Sequence, residues 1–598
     1  MTTNVPAEEE RDAQSFRGLL RNLKLRVWIA EVVRPSELQT TLFWAGVIGF
    51  VGGVVSVCFR QATEGVHWLL SQQRGDYATT FAHLSPGRRI FTPVLGGAIA
   101  GAIIFVGARF RKSQHTTDYM EAVVVGEGLI AVRSSVVKCL SAMFTIASGG
   151  SIGREGPLVQ LSSLTASLLG RWAKWTRPRR RLLVACGAAA GIASAYNAPI
   201  AGALFVADIV LGSFAMNIFG PLVFASVIAT LTTQRFVGNE PLYASAFQVR
   251  SDLEILPYLL LGLVAGLIAP WFLRLLRWSE QWFSKLPVPV YVRMALGGLV
   301  VGGLTLFFPD VAGNGYSAIG HILHAQWFWP ALATILICKL IATAATFGSG
   351  AVGGVFTPTL LIGASFGFLF GNAMQALVGA RFISEPSAFA LVGMGAFLAA
   401  TIHAPIVAIF MIFELTLDYQ IILPLMLACV IAYYTSIRFE RPSIYSEALK
   451  RKGASFFDER LAGVRVLDLM KPNPRAVLET APFREVGQDF INQRFNYLYV
   501  VDGARRFKGA ISLHDIKEYL KQPELAEVVI ARDIMREEFP TIDPEISVRD
   551  ALDRFSLHDG ERLPVLAAND TNQLLGSISK TDLILALAHR DSEATQEK

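Results

Sequence analysis

Ser148-Gly149-Gly150-Ser151-Ile152-Gly153-Arg154-Glu155-Gly156-Pro157 breaks an apolar part of this chain, and Ser349-Gly350-Ala351-Val352-Gly353-Gly354-Val355-Phe356-Thr357-Pro358 breaks another in the same way. Ser, Gly, Gly and Pro coincide at one constant offset. Further on, Asn197-Ala-Pro-Ile200 with Asp208 eleven residues after Asn197 parallels His403-Ala-Pro-Ile406 with Glu414 eleven residues after His403. Gly187 and Gly393 precede these by the same ten positions. Two ordered pairs in the same order indicate an internal duplication, although Gly/Ala-rich helices also resemble one another by chance. Duplicated membrane halves commonly meet at a substrate site near the bilayer midplane.

Inside a membrane such a break has a definite chemistry. Glycines release the backbone from helix geometry, and Pro157 suits the first turn of a new helix because its missing N–H would be unpaired there anyway. The new helix points its free N–H groups, and about half a positive charge, back at the break. That makes an anion site without a lysine, built from Gly153, Arg154 and Gly156. Gly354, Val355 and Phe356 repeat the arrangement, so two helix starts can converge on one ion. The competing reading is close helix packing. Glu155 costs a few kcal/mol at membrane depth, which marks it as functional by default. Ionised, it competes with an anion; protonated, it withdraws, as a gate, a proton carrier or both. The alternative is a salt bridge with Arg154. The equivalent positions of Asp208 and Glu414 favour a structural role for those two.

Composition agrees with a membrane body. The 598-residue chain is 52% hydrophobic, 11% aromatic and 17% charged, against roughly 25% charged in a soluble domain, and its mean hydropathy is +0.43. Charge clusters in residues 1–37 and after Arg438. Leu38–Phe59, Ile90–Ala108, Ile255–Leu273 and Tyr419–Ile437 are uncharged runs long enough for the roughly 30 Å hydrocarbon core. Leu340–Ala380 is too long for one helix and Pro157–Gly170 too short, while Leu182–Ala207 and Pro386–Phe413 are interrupted at the Ala-Pro pairs. Such segments mark a transporter or channel with irregular backbone at depth. Residues 1–36 contain no secretory h-region, and Arg11, Arg17, Arg21, Lys24, Arg26 and Arg34 place them in the cytoplasm. The net charge of +6 needs no nucleic-acid partner, since basic flanks of membrane spans supply it. Cys58, Cys139, Cys186, Cys338 and Cys429 lack metal-like spacing and read as buried thiols. His321, His324 and His403 form no ligand set or nucleophile–base pair, so no enzyme is expected. A cation transporter would need several converging acids, and Glu155, Asp208 and Glu414 are the main acids bordering the apolar runs.

Gly153-Arg-Glu-Gly-Pro157 resembles the G(K/R)EGP motif of the CLC chloride channel and transporter family. Gly354-Val-Phe-Thr-Pro358 resembles its GxFxP motif, and Tyr445 in Ile444-Tyr-Ser446 its anion-coordinating tyrosine. Asp118-Tyr-Met-Glu121 and Gly313-Asn-Gly-Tyr-Ser317 point to the bacterial ClcB-type branch. The resemblance spans roughly residues 40–450. It implies a mostly α polytopic membrane protein of two inverted helical repeats, forming a homodimer with one anion pathway per subunit. It makes chloride the substrate and Glu155 the external gate. The backbone amides around Val355 and Phe356, with the Tyr445 hydroxyl, hold the central anion. An ordinary interfacial aromatic is the other reading of Tyr445. The chain departs from the family twice. The GSGIP segment is missing, and Thr117 falls on its anion-coordinating serine, with the flanking glycines gone. The internal proton-transfer glutamate of the exchangers aligns with Ile209, which cannot carry a proton. Asp208 is adjacent, but one residue turns a side chain by about 100° around an α-helix. These departures favour channel-like or loosely coupled conductance over strict chloride/proton exchange.

After Arg438 the sequence turns mixed and globular. Val466-Leu-Asp-Leu-Met470 to Gly509-Ala-Ile-Ser-Leu-His-Asp515 is followed by a similar unit, Ala531-Arg-Asp-Ile-Met535 to Gly576-Ser-Ile-Ser-Lys-Thr-Asp582. Each has an apolar strand, a turn, a second strand and Ser-x-x-Asp. Capping alone explains Ser512 with Asp515 and Ser579 with Asp582. The pair also resembles a CBS tandem, small and α/β, in which such an Asp binds the ribose of an adenine nucleotide. No cofactor is otherwise required. The expected division is a cytoplasmic segment 1–37 and a transmembrane domain 38–445 with halves about 38–240 and 250–440. A linker 446–463, a first CBS unit 464–525 and a second with the tail 526–598 follow. The whole is expected as a multi-pass protein of the inner or plasma membrane, embedded in lipid, with both termini cytoplasmic.

Overall fold

The computed structural model describes residues 37–73, 75–109, 118–124, 126–239, 241–243, 254–324, 327–379, 381–445, 465–492, 497–513, 515–516, 528–556, 562–567 and 572–582. Thr117, the 1–36 segment and the whole expected linker lie outside them. The chain divides into two units, Met1–Leu449 and Lys450–Lys598.

The first unit is helical. Among the described residues, eight helices are long and apolar enough to cross a membrane, from Glu37–Ser71 to Tyr419–Phe439. Large apolar side chains such as Trp271, Leu423 and Tyr434 remain exposed on their outer faces, the surface a bilayer would cover. Cys58 joins that surface, against the expectation of five buried thiols; the other four are buried.

The breaks fall where the glycines and prolines put them. Val132–Ala147 ends before the first motif and Glu155–Trp172 begins inside it. Trp329–Gly348 and Phe356–Val378 flank the second, which is why Leu340–Ala380 is too long to be one helix. The Ala-Pro breaks share one backbone form. Asn197 caps Arg177–Tyr196 at φ 56°, His403 caps Pro386–Ile402 at φ 58°, and helices restart at Pro199 and Pro405. Both caps are left-handed, a conformation that costs a non-glycine residue energy, so its recurrence is a backbone signature of the duplication.

The repeats are inverted. Pro86–Arg109 and Val290–Phe307 occupy equivalent repeat positions and pack antiparallel, with Gly97 on Met294, Gly101 on Tyr291, Gly298 on Pro93 and Gly302 on Ile90. Small residues at such crossings let membrane helices approach closely. Gly187 and Gly393 do this work too, lying against the backbone of Ser162 and Gly363. In the helices carrying them, residues 183–196 and 388–402 are buried throughout.

The second unit holds two three-stranded sheets. Ala476–Leu478, Tyr497–Val501 and Phe507–Ser512 form one; Lys471–Pro472, Leu574–Ser579 and Arg562–Leu566 form the other. The two halves exchange their leading segments. Lys471–Pro472 pairs with the strand of the second half, and Arg536 exchanges backbone hydrogen bonds with Ala510 of the first. Tyr499, Val501 and Phe507 then share an apolar cluster with Leu566 and Leu574.

Candidate functional site

The two glycine-rich breaks meet. The Gly153 N–H donates to the Gly354 carbonyl at 2.6 Å and the Gly354 N–H returns the bond to Gly153 at 3.2 Å, an antiparallel bridge between the halves. The helix starts at Glu155 and Phe356 therefore face one small region. The Glu155 side chain occupies it, buried to 5% exposure. Its Oε1 accepts from the Thr357 N–H at 3.3 Å and its Oε2 from the Thr357 hydroxyl at 3.3 Å, with the Phe356 amide and its own N–H beside it. The Tyr196 hydroxyl lies 3.1 Å from the Thr357 hydroxyl. A Cβ at Gly153 or Gly354 would fall on the Glu155 carboxylate, so these glycines leave the volume that it fills. The carboxylate thus sits at the positive start of the facing repeat's helix, where N–H groups and the helix dipole favour a negative group.

The surrounding candidates fall as follows. Val355 and Phe356 are buried, the Phe356 ring 5.0 Å from Tyr196. Gly156 faces the Gly353 backbone, close enough that an added Cβ would touch it. Arg154 makes no salt bridge with Glu155; its guanidinium lies over the Tyr316 ring at 5.0 Å. Tyr445 stands edge-on to Phe205, ring centres 5.1 Å apart, and within electrostatic reach of Glu155. Thr357, Tyr196 and Tyr316 were not picked out as site residues by the sequence. Thr357 stands inside the quoted motif, whereas nothing local flags Tyr196.

Asp208 and Glu414 diverge despite equivalent positions. Glu414 accepts from the Ile200 and Ala201 N–H groups, both at 2.8 Å, and caps the restarted helix of the other half. Its structural role stands. Asp208 does not copy it. It lies half-buried in a π-helical turn, Val206–Leu211, with no hydrogen bond or ion pair among the described residues. The wider turn means that straight α-helix geometry does not set the angle between Asp208 and Ile209.

Comparison with known proteins decides the family. Residues 96–437 match the family of voltage-gated chloride channels, and residues 466–522 and 531–589 each match the CBS domain. A ClcB-like protein of Ralstonia nicotianae is 46% identical over 413 residues, covering 68% of this chain and 96% of that protein. The chain belongs to the CLC family. The voltage-gated ClC-type chloride channel ClcB of Salmonella typhimurium is 39% identical over 414 residues, covering 68% of this chain and 98% of the relative. Among solved structures, a slow cyanobacterial Cl−/H+ antiporter aligns at TM-score 0.62 and 27% identity, over 69% of this chain and 98% of that one. A eukaryotic CLC transporter aligns at TM-score 0.59 and 18% identity, over 91% of this chain and 97% of that one, which speaks for the fold alone. This CLC protein is therefore a multi-pass membrane protein of chloride transport, not an enzyme, with a C-terminal CBS pair.

In the CBS pair both Ser-x-x-Asp motifs form reciprocal caps. The Ser512 hydroxyl and N–H donate to Asp515 Oδ2 at 2.7 and 2.9 Å, and Ser579 does the same to Asp582 at 2.6 and 3.1 Å. Each acid also meets a base from the exchanged segment of the other half, Arg536 at 2.6 Å from Asp515 and Lys471 at 2.9 Å from Asp582. Burial alone would raise the Asp515 carboxyl, but Ser512 and Arg536 outweigh it and hold it below the ordinary value. Asp582 is held low in the same way by Ser579 and Lys471.

Proposed function

We propose that the chain is a chloride-selective conduit in which Glu155 is the gate. The observation that carries this reading is the Glu155 carboxylate lodged at the start of the Phe356–Val378 helix, in the place an anion would take. Glu155 closes the path while ionised and releases the helix start when protonated or displaced, so acid should favour opening. The amides of Gly153, Arg154 and Gly156 on one side and of Gly354, Val355 and Phe356 on the other form the electropositive wall. The Tyr445 hydroxyl adds a ligand toward Phe205, and Thr117 stands in for the missing serine. Two copies pair as a homodimer in the bilayer, each with its own path. The division at residues 37, 445, 463 and 525 orders a cytoplasmic start, the membrane body, a linker and two CBS units, with both termini cytoplasmic. Ser512 with Asp515 and Ser579 with Asp582 receive an adenine nucleotide. To do so each acid must offer an acceptor site not taken by its present partners.

Chloride flux from proteoliposomes tests the gate. Glu155→Ala and Glu155→Gln should conduct without the wild-type pH response; a response kept intact in both would overturn the assignment.

A second reading is chloride/proton exchange with an atypical internal path. Asp208, half-buried and unpaired in its π turn, favours it, because it supplies an acid beside the position where Ile209 cannot act. An imposed chloride gradient that drives protons uphill, and ceases to do so in Asp208→Asn, would establish exchange; no proton movement would leave the channel.

A further inference from the structure

The last span of the membrane body, Ile422–Phe439, ends in an ion-paired turn. Glu440 closes it, its side chain 12% exposed, and two arginines of the Ile255–Ser284 helix converge on its carboxylate. Arg277 grips both oxygens, at 3.0 and 2.8 Å. Arg274 donates to Oε2 at 3.1 Å and, through Nη2, to the Phe439 carbonyl at 3.0 Å. A helix end leaves carbonyls without partners and carries partial negative charge, and Arg274 answers both. Forked arginine–carboxylate pairs fix geometry as well as adding energy. The same turn is held on another side, where the Ser436 hydroxyl donates to the Ala400 carbonyl at 2.8 Å and lies 3.5 Å from His403 Nε2.

Helix packing does not require this arrangement, because the other repeat is built without it. Gly262 and Gly266 lie on Ala428 and Ala432, and Gly49 and Gly53 lie on Ala225 and Ala229 in the same register. That register sets Gln61 where the second repeat has Arg274, and Glu64 where it has Arg277. The equivalent helix of the first repeat ends at Val237 and Gly238, neither of them an acid. What distinguishes the second repeat is where its chain goes next. Four residues, Arg441-Pro442-Ser443-Ile444, separate Glu440 from Tyr445. Pro442 fixes its own φ and restricts Arg441 before it, and Ser443 is buried. A connection this short and stiff passes the position of Glu440 on to Tyr445, whose ring stands edge-on to Phe205.

We propose that Arg274, Arg277 and Glu440 position the Tyr445 hydroxyl, and so set the preference for chloride over larger anions. The proposal rests on the reading of Tyr445 as a ligand of the central anion. A donor held in one place suits an ion of one radius, whereas a donor free to shift also accommodates nitrate, which is larger and planar. Glu440 itself touches no ion. It is a positioning residue, part of the support that keeps a binding group in its productive geometry.

Chloride and nitrate fluxes from proteoliposomes holding the full-length protein test this. Tyr445→Phe, which removes the hydroxyl alone, should lower the chloride-over-nitrate ratio. Glu440→Gln should lower it in the same direction by about three- to tenfold, short of the outright loss of a hydrogen bond to a charged ligand. Combined with Tyr445→Phe, Glu440→Gln should change the ratio no further, since no hydroxyl remains to position. An unchanged ratio in Glu440→Gln, or a shift that persists in the Tyr445→Phe background, would overturn the positioning role and leave Tyr445 as a ligand. An unchanged ratio in Tyr445→Phe would overturn the ligand reading, and the positioning role with it. Arg274→Gln, at the more exposed of the two arginines, keeps the test open if Glu440→Gln does not fold. It should show the same shift and the same dependence on the Tyr445 hydroxyl. A lowered unfolding midpoint with an unaltered ratio would mean that the ion pairs serve stability alone, and would refute the proposal.

Discussion

At Glu155, the gate under the proposed reading, one residue of the other repeat holds the carboxylate in place. Thr357 donates both its N–H and its side chain to the carboxylate. Thr357→Val removes only the hydroxyl. The loss of a hydrogen bond to a charged group is worth about 1.5–3 kcal/mol, so the closed form weakens, and resting chloride flux at neutral pH should rise at least several-fold. Tyr196→Phe, one bond further away, should move flux in the same direction by less, and the two measured together rank the chain of contacts. A lysine shows the limit of reading residues singly. Lys339 is fully buried and donates to the Val311 and Gly313 carbonyls at 3.0 and 2.7 Å, while the Gly313 N–H donates to Gly149. A lone cation in an apolar run signals function or structure by default, yet its partners are backbone carbonyls that no motif announces. Lys339→Met should lower the unfolding midpoint in detergent, since two buried acceptors lose their donor at about 1–3 kcal/mol each.

The broken helices were legible because glycine, proline and left-handed caps punctuate them. Ser148–Pro157 and Ser349–Pro358 foretold two helix starts, and the bridge between Gly153 and Gly354 brings those starts together. What sequence did not carry is how the wall behind each start is built. Glu414 and Asp208 occupy matching positions, but only Glu414 caps the opposing restart. A π turn breaks the match, and nothing in Val206–Leu211 distinguishes it from α-helix in composition. Glu414→Ala should therefore destabilise the protein by about 2–6 kcal/mol, two orphaned N–H groups at about 1–3 kcal/mol each, and reduce its thermal midpoint. Asp208→Asn should leave that midpoint near wild type. Equal losses from both would mean that the symmetry of the sequence had been the better guide.

Across the whole molecule, the two units were separable by composition alone, but the exchange of leading segments in the CBS pair was not. It depends on pairing across halves, Lys471 with Asp582 and Arg536 with Asp515, which periodicity within one half cannot reveal. Both acids have folded values below their ordinary one, which is about 3.9 for a free Asp. Their contribution is thus complete above about pH 4 and is lost as pH falls through the lower folded values. Being partly solvated, each pair is worth about 1 kcal/mol or less. Asp515→Asn with Asp582→Asn should weaken hydrogen-exchange protection of the Tyr497–Val501 and Arg562–Leu566 strands at pH 6. The difference from wild type should shrink below pH 4; a constant difference would mean that charge is irrelevant there. The membrane body carries its own asymmetry. The repeat places Glu155 and Phe356 at corresponding positions, so a chargeable side chain stands in one copy where an inert ring stands in the other. Once an ancestral half had doubled, a single codon could make the structure directional: if Glu155 is the gate proposed above, protons reaching its side of the membrane would unlock it, and those from the other would find nothing to titrate at the mirror position.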